Sequence, residues 1–514
     1  MRIQARVLRG LAVAFLLGAA TPAMAAGDMR LVDAAQKQDR QIVASLLMQG
    51  VDANQRQADG ATALHWAAHW DDLESAELLL RAGADPNAAN DYGSTPLLLA
   101  CTNGNAQMVE KLVQRRANPN AASPSGETAL MRCARTGNVA AVKVLISAKA
   151  DVNAKDNEQG QTGLMWAIAQ KHPAVVQALI AAGADIHAHT NGGFTPLLFA
   201  ARVGDTESAS ALIAAGADVN EVGPKGMTPL VLASASGQEA FGVYLLDKGA
   251  DPNAKDGYGA TALHYAVLKG ITAIDQVRFA NYVTHLFRPN EQGLVKALLA
   301  HKANPNVQIE KPVLVGGARG DTTVGATPFL LAAASPDPVV MRMLANAGAD
   351  PKLGTKAKMT PVMAAAGLSR GQDFTEDDKR LAIEAVRIAV ELGGDVKAAD
   401  ENGLTAMHGA AGNGADAVVQ FLAEKGADLN VRDKYQQTPL SIATGIRLPW
   451  IPYGDELGEI IQPSTRDLLL KLGATPVDSP GYFKEPTEYS EAYRQNQSQR
   501  YGGIIAPEPP AAQK

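Results

Sequence analysis

Apolar positions along this chain fall in short paired runs. In residues 193–205, GFTPLLFAARVGD, a Thr-Pro pair opens a stretch in which Leu197, Leu198, Ala200 and Ala201 recur at helical spacing. Thr195 suits the N-cap, and Pro196 suits the first helical position because its missing N–H would have no partner there. Gly204 ends this helix. The next run, TESASALIAA, predicts a second helix with Leu212 and Ile213 turned inward, and Gly216 supplies its left-handed cap. ADVN and a polar turn then lead to Gly226 and the next Thr-Pro.

The unit recurs. Thr-Pro opens an apolar run at Thr95, Thr195, Thr228, Thr327, Thr360 and Thr438, with altered copies at Thr62, Thr128, Thr162, Thr261 and Thr405. From Thr62 to Thr261 successive threonines lie 33 or 34 residues apart, and thereafter the gaps are 66, 33, 45 and 33. Second helices close in a common grammar: LLLRAGADPN, LIAAGADIH, LLDKGADPN, MLANAGADP, FLAEKGADLN. The first unit, from Met29 to Asn54, lacks Thr-Pro and is more polar, as the end of a stack should be.

The period breaks in four places. Residues 271–292 carry Ile274, Val277, Phe279, Val283, Leu286 and Phe287, which suggest a lengthened or extra helix. Residues 307–325, VQIEKPVLVGGARGDTTVG, fall at the hairpin between two units and read as a protruding β-finger, because Gly316-Gly317 permits a sharp bend. Residues 367–380 read as a polar loop between helices, and residues 445–463 hold Trp450 and Tyr453 in a proline-broken loop. Long irregular loops in compact arrays are usually functional or disordered.

A period of 33 headed by TPLHxA-like stretches (GATALHWAA, GSTPLLLAC, GFTPLLFAA, GMTPLVLAS, GATALHYAV) resembles the ankyrin-repeat family. The resemblance covers residues 28–477 and implies an all-α solenoid of about twelve helix–loop–helix–hairpin units. It implies that His65, His264 and His408, fourth in TALH or TAMH, are structural ties between neighbouring turns. It also implies that a protein partner meets the hairpin tips and the ends of the first helices. On this sequence the tips include Tyr92, Lys225, Tyr258 and Tyr435, and the helix ends include His69, Trp70, Arg135, Gln170, Lys171, Arg202 and Lys269. Lys311, Arg319 and Asp321 of the finger join them. Arg319-Gly320-Asp321 spells an integrin-binding tripeptide, but Gly and Asp are ordinary turn residues, and a general partner-binding finger is the preferred reading. With units on the order of 10 Å apart, Cys101 and Cys133 on consecutive first helices would exceed the roughly 7 Å reach of a disulfide, so two buried free thiols are expected.

Composition narrows the class. The chain has 514 residues, 46% hydrophobic and 19% charged, so a folded array is expected. Residues 1–25 read as a signal peptide: Arg2, Arg6 and Arg9, a short apolar run, then Ala23-Met24-Ala25. Removing those three arginines takes the formal net charge from −6 to −9, which repels phosphate backbones and argues against nucleic acid as partner. No later run is long and apolar enough for an integral membrane segment. The expected location is the periplasm, with secretion as the alternative. Residues 478–514 are polar and proline-bearing and read as a flexible tail.

No phosphate loop, nucleophile elbow, haem motif or dinucleotide fingerprint occurs, and no catalytic, metal or cofactor residues are assigned. His65/His69 have metal-ligand spacing without the glutamate of H-E-x-x-H, and His187-Ala188-His189 would point both rings one way only on a strand. Trp66, Trp166, Phe199 and Tyr265 share one repeat position and are expected to fill the core. The function expected is a non-enzymatic interaction scaffold. The alternative is a metal-dependent or hydrolytic enzyme whose site lies in residues 271–325, with Asp275, His285, His301, Glu310 and Asp321 available.

Overall fold

The computed structural model describes residues 29–267, 292–312, 324–368, 375–434, 436–444 and 462–476. Among them, α-helices fall into twelve antiparallel pairs, from Arg30–Gln36 with Arg40–Met48 to Pro439–Ala443 with Pro463–Leu472. The chain forms two compact units, residues 1–184 with five of these pairs and residues 185–514 with seven.

Few of these helices exceed nine residues, too short to persist alone in water. Their ends are therefore specified with care. Thr95, Thr128, Thr162, Thr195, Thr228, Thr327 and Thr360 each accept a bond from the backbone N–H three residues on. Proline occupies the first turn wherever the sequence reads Thr-Pro, and Gly204 closes Pro196–Val203 at φ 70°. Leu197, Leu198, Ala200, Ala201 and Leu212 are buried as expected, whereas Ile213 is only half-buried.

Packing supplies the rest. Leu64, Leu98, Leu130 and Leu164 from first helices, with Leu79, Leu112, Leu145 and Leu179 from second helices, are at most 1% exposed in the first unit. Each such side chain contributes about 1.5–3 kcal/mol on burial. Between the first helices stand small residues, Ala67, Ala100, Ala134 and Ala167, all essentially inaccessible. They let neighbouring backbones approach far closer than the mean repeat spacing. Cys101 and Cys133 consequently have Cα atoms 4.5 Å apart and form a disulfide, which overturns the expectation of free thiols. The mean spacing between units was the wrong measure of a local contact between two small-residue stripes.

Neighbouring hairpins are sewn together twice. At the tips, the Asp91 N–H donates to the Asp59 carbonyl (2.9 Å) and the Asn157 N–H to the Ser125 carbonyl (2.8 Å). Gly60 is required at one such crossing: it has φ +77°, and a Cβ there would lie 2.9 Å from Asp91 Oδ1. At the other end of the hairpins, Asn87 donates to the Arg116 carbonyl (3.0 Å) and accepts from the Asn118 N–H (2.6 Å). Asn54, Asn120, Asn220, Asn253 and Asn306 repeat this clamp.

Two departures from the period can be followed. Residues 376–380, expected in a polar loop, belong to a lengthened second helix, Glu376–Glu391, because its N-cap Thr375 and Asp378 form a capping box at its start. The base of the 307–325 finger is closed by antiparallel bonds between Ile309 and residues 325–326, from the Ile309 N–H to the Ala326 carbonyl (3.0 Å) and from the Gly325 N–H to the Ile309 carbonyl (2.7 Å). The finger expected beyond residue 312, the helix expected within 271–292, the loop expected around Trp450 and Tyr453, the expected signal peptide and the expected tail lie outside the described residues.

Candidate functional site

The histidines of the TALH stretches are structural. His65 Nδ1 meets the Thr62 N–H at 3.1 Å and its hydroxyl at 2.9 Å, while Nε2 meets the Ser94 carbonyl of the next unit at 3.0 Å. A backbone N–H can only donate and a carbonyl can only accept, so the ring is neutral with its proton on Nε2. His264 and His408 repeat the arrangement onto the Val307 and Gln437 carbonyls. Burial pushes all three below the ordinary histidine value, His264 and His408 to about 4.

With the histidines committed to the fold, the ends of the first helices carry the exposed chemistry. In the first unit, Trp66, His69 and Trp70 form one cluster at the end of helix Ala63–His69. Their ring centroids lie 4.5 Å (His69–Trp70), 5.8 Å (Trp66–His69) and 6.5 Å (Trp66–Trp70) apart. Trp66 donates to Gln57 Oε1 (3.0 Å) and Trp70 to the Gln36 carbonyl (3.1 Å), which fixes both rings while Trp70 stays 43% exposed. Tyr92, at a hairpin tip, is 74% exposed. Trp66 and Trp166 of the first unit and Phe199 of the second are half-buried, and of the four residues expected in the core only Tyr265 is buried.

Arg135 lies 5.1 Å above the Trp166 ring and reaches Glu127 (3.4 Å), which also takes Arg132 (2.9 Å). This cation–π stack, with the Glu127 contact, fixes the position of the Arg135 guanidinium. Gln170 and Lys171 are exposed at the next helix end, Lys171 with φ +58°. In the second unit Arg202 is exposed, and Lys225 (φ +54°) lies 5.8 Å from the Tyr258 ring centroid and donates to its hydroxyl at 3.3 Å. Lys311 donates to the Gly257 carbonyl at 3.0 Å. Lys269, Arg319, Asp321 and Tyr435 lie outside the described residues.

The structure thus joins Arg135 to Trp166, and Lys225 to Tyr258 and the Lys311 turn, pairs that repeat position alone does not reveal. Glu127, Gln57, Lys255 and Glu310 were missed as supporting residues. Glu127 had a signal: it occupies the position just before the capping threonine, where the neighbouring units place Ser94 and Gln161. Of the residues considered for an enzyme, His301 faces Asp247 (3.8 Å) and Glu310 takes the Lys255 ammonium (2.9 Å), while Asp275, His285 and Asp321 are outside the described residues. Among the described residues no group of three or more metal-ligating side chains comes together, and no helix is long and apolar enough to cross a membrane.

The family pattern for ankyrin repeats (three copies) matches residues 31–123, 116–190, 164–256, 197–280 and 379–446, more than half of the chain. The protein belongs to the ankyrin-repeat family. An ankyrin repeat-containing protein, P1E11.10, of Schizosaccharomyces pombe is 29% identical to it over 97 residues, 18% of this chain. The match spans 43% of that relative's length. The human ASB11 ankyrin repeat domain is 24% identical over 43% of this chain and 98% of its own, with a TM-score of 0.39. Ankyrin repeats are in general protein–protein interaction modules, and the ankyrin-repeat family is typically non-enzymatic.

Proposed function

We propose that this protein is an exported binding scaffold that holds a protein partner against the first-helix ends and hairpin tips of its ankyrin repeats. The observation that carries the reading is a set of aromatic and arginine side chains left at the surface: exposed Trp70, fixed by its bond to the Gln36 carbonyl, exposed Tyr92, and the half-buried Arg135–Trp166 stack. These residue types dominate binding energy at interfaces, and a prearranged surface loses little entropy on association. No catalytic step is assigned to it. Export to the periplasm, with secretion as the alternative, is part of the proposal. It is supported by the leader-like pattern in residues 1–25 and by the Cys101–Cys133 disulfide, a bond rare in reducing cytosol.

The test is in-cell crosslinking with mass spectrometry, comparing the intact protein with Trp70→Ala/Tyr92→Ala. A partner held by hot spots should fall at least about thirtyfold in yield-corrected affinity, as two such truncations remove roughly 2 kcal/mol or more. A partner set indifferent to both substitutions, or no specific protein at all, would sink the proposal.

A further inference from the structure

Consecutive hairpin tips of the second unit carry lysines that backbone bonds draw together. The Gly257 N–H donates to the Lys225 carbonyl (2.5 Å), the Glu310 and Lys311 N–H groups to the Tyr258 carbonyl (2.8 and 3.1 Å), and the Lys356 N–H to the Val324 carbonyl (2.8 Å). Lys225, Lys255, Lys311 and Lys356 are all exposed on this ribbon. Beside them runs an open trough of about 650 Å³ lined by Asn253, Lys255, Asn306, Gln308 and Glu310. Among the described residues that line it, only Glu310 is acidic. Lys255 binds Glu310 directly, and Lys311 and Lys356 lie close enough to help hold its carboxyl below the usual range. The nearby Asp256 is 7% exposed and spends its oxygens inward, on the Tyr258 and Ala260 N–H groups (2.8 and 2.9 Å) and the Tyr265 hydroxyl (2.6 Å).

Among the described residues of these tips, four exposed lysines therefore accompany one exposed carboxylate, in a chain whose net charge is −6. We propose that this lysine ribbon docks an acidic peptide segment of the partner, a deepening that rests on the scaffold reading above. Each ammonium has three donors; Lys255 spends one on Glu310 and Lys311 one on the Gly257 carbonyl, so carboxylates can be taken up without breaking the ribbon. Local complementarity steers such a segment in, whereas the surrounding negative charge opposes an extended polyanion such as nucleic acid.

The full-length protein is titrated with a fluorescein-labelled oligoglutamate peptide, with oligolysine as control, at low and physiological salt. Binding that weakens with salt and falls about tenfold in Lys255→Gln/Lys311→Gln/Lys356→Gln, with circular dichroism unchanged, is the expected result. Absence of oligoglutamate binding, binding indifferent to the triple variant, or tighter lysine-dependent binding of single-stranded RNA or phosphatidylserine vesicles would overturn it. Crosslinking on the same variant separates the two readings. A partner that persists undiminished overturns the acidic-segment inference and leaves the scaffold standing, whereas its selective loss, together with the oligoglutamate result, supports both.

Discussion

Reduction of the Cys101–Cys133 bond perturbs the first unit at one fully buried point between the third and fourth helix pairs. The cysteines are 32 residues apart in sequence. Closing a loop of that length removes enough unfolded-chain entropy to stabilise the fold by about 3.7 kcal/mol at 25 °C. The assay is urea unfolding followed by tryptophan fluorescence, with and without reductant. Trp66, Trp70 and Trp166 all lie in the same unit as the bond, so the signal reports on it. For urea slopes of about 1–3 kcal/mol per molar, reduction should lower the midpoint by about 1–4 M. Repeats remote from the bond should change little, because a stack is held together by nearest-neighbour interfaces. Cys101→Ala/Cys133→Ala should unfold early and ignore reductant. Superimposable curves for oxidised and reduced protein, or alkylation of both thiols without prior reduction, would refute the reasoning and restore the free-thiol expectation.

Acid should weaken the array. His264 and His408 are neutral in the fold with values near 4, so the stability they supply is complete above the unfolded value of about 6.5 and is lost as pH falls from there toward 4. Each contributes up to about 3 kcal/mol, and Tm measured from pH 7.5 to 4.5 should drop markedly in the wild type and with a shallower slope in His264→Gln; a flat wild-type profile counts against the assignment. Gly137→Ala should cost about 1–2 kcal/mol, because Gly137 sits at φ +78° and a Cβ would lie 2.6 Å from the His172 ring. That ring donates to the Arg135 carbonyl (3.0 Å), so a thermal melt with no loss of Tm would show that His172 yields freely.

Much of this protein is written locally. Thr195 with Pro196, Gly204 and the spacing of Leu197, Leu198, Ala200 and Ala201 are satisfied within one repeat, so the helix pair and its caps follow from the sequence. The period of 33 then implies stacking, because no single pair can bury both its faces. The structural role of His65, which the family resemblance implies, is realised through Thr62, three residues before it, and the Ser94 carbonyl of the next unit.

What needed the tertiary structure depends on how close two repeats come at a particular place. The Cα separation of Cys101 and Cys133 is set by alanines on facing helices, and no average spacing contains that number. The stack of Arg135 on Trp166 and the gathering of Lys255, Lys311 and Lys356 around Glu310 likewise arise across repeats and across a break in the period. Periodicity determines which residues recur in equivalent places. Distances of a few ångströms between different repeats are fixed only when side-chain volumes and backbone hydrogen bonds are satisfied together in three dimensions.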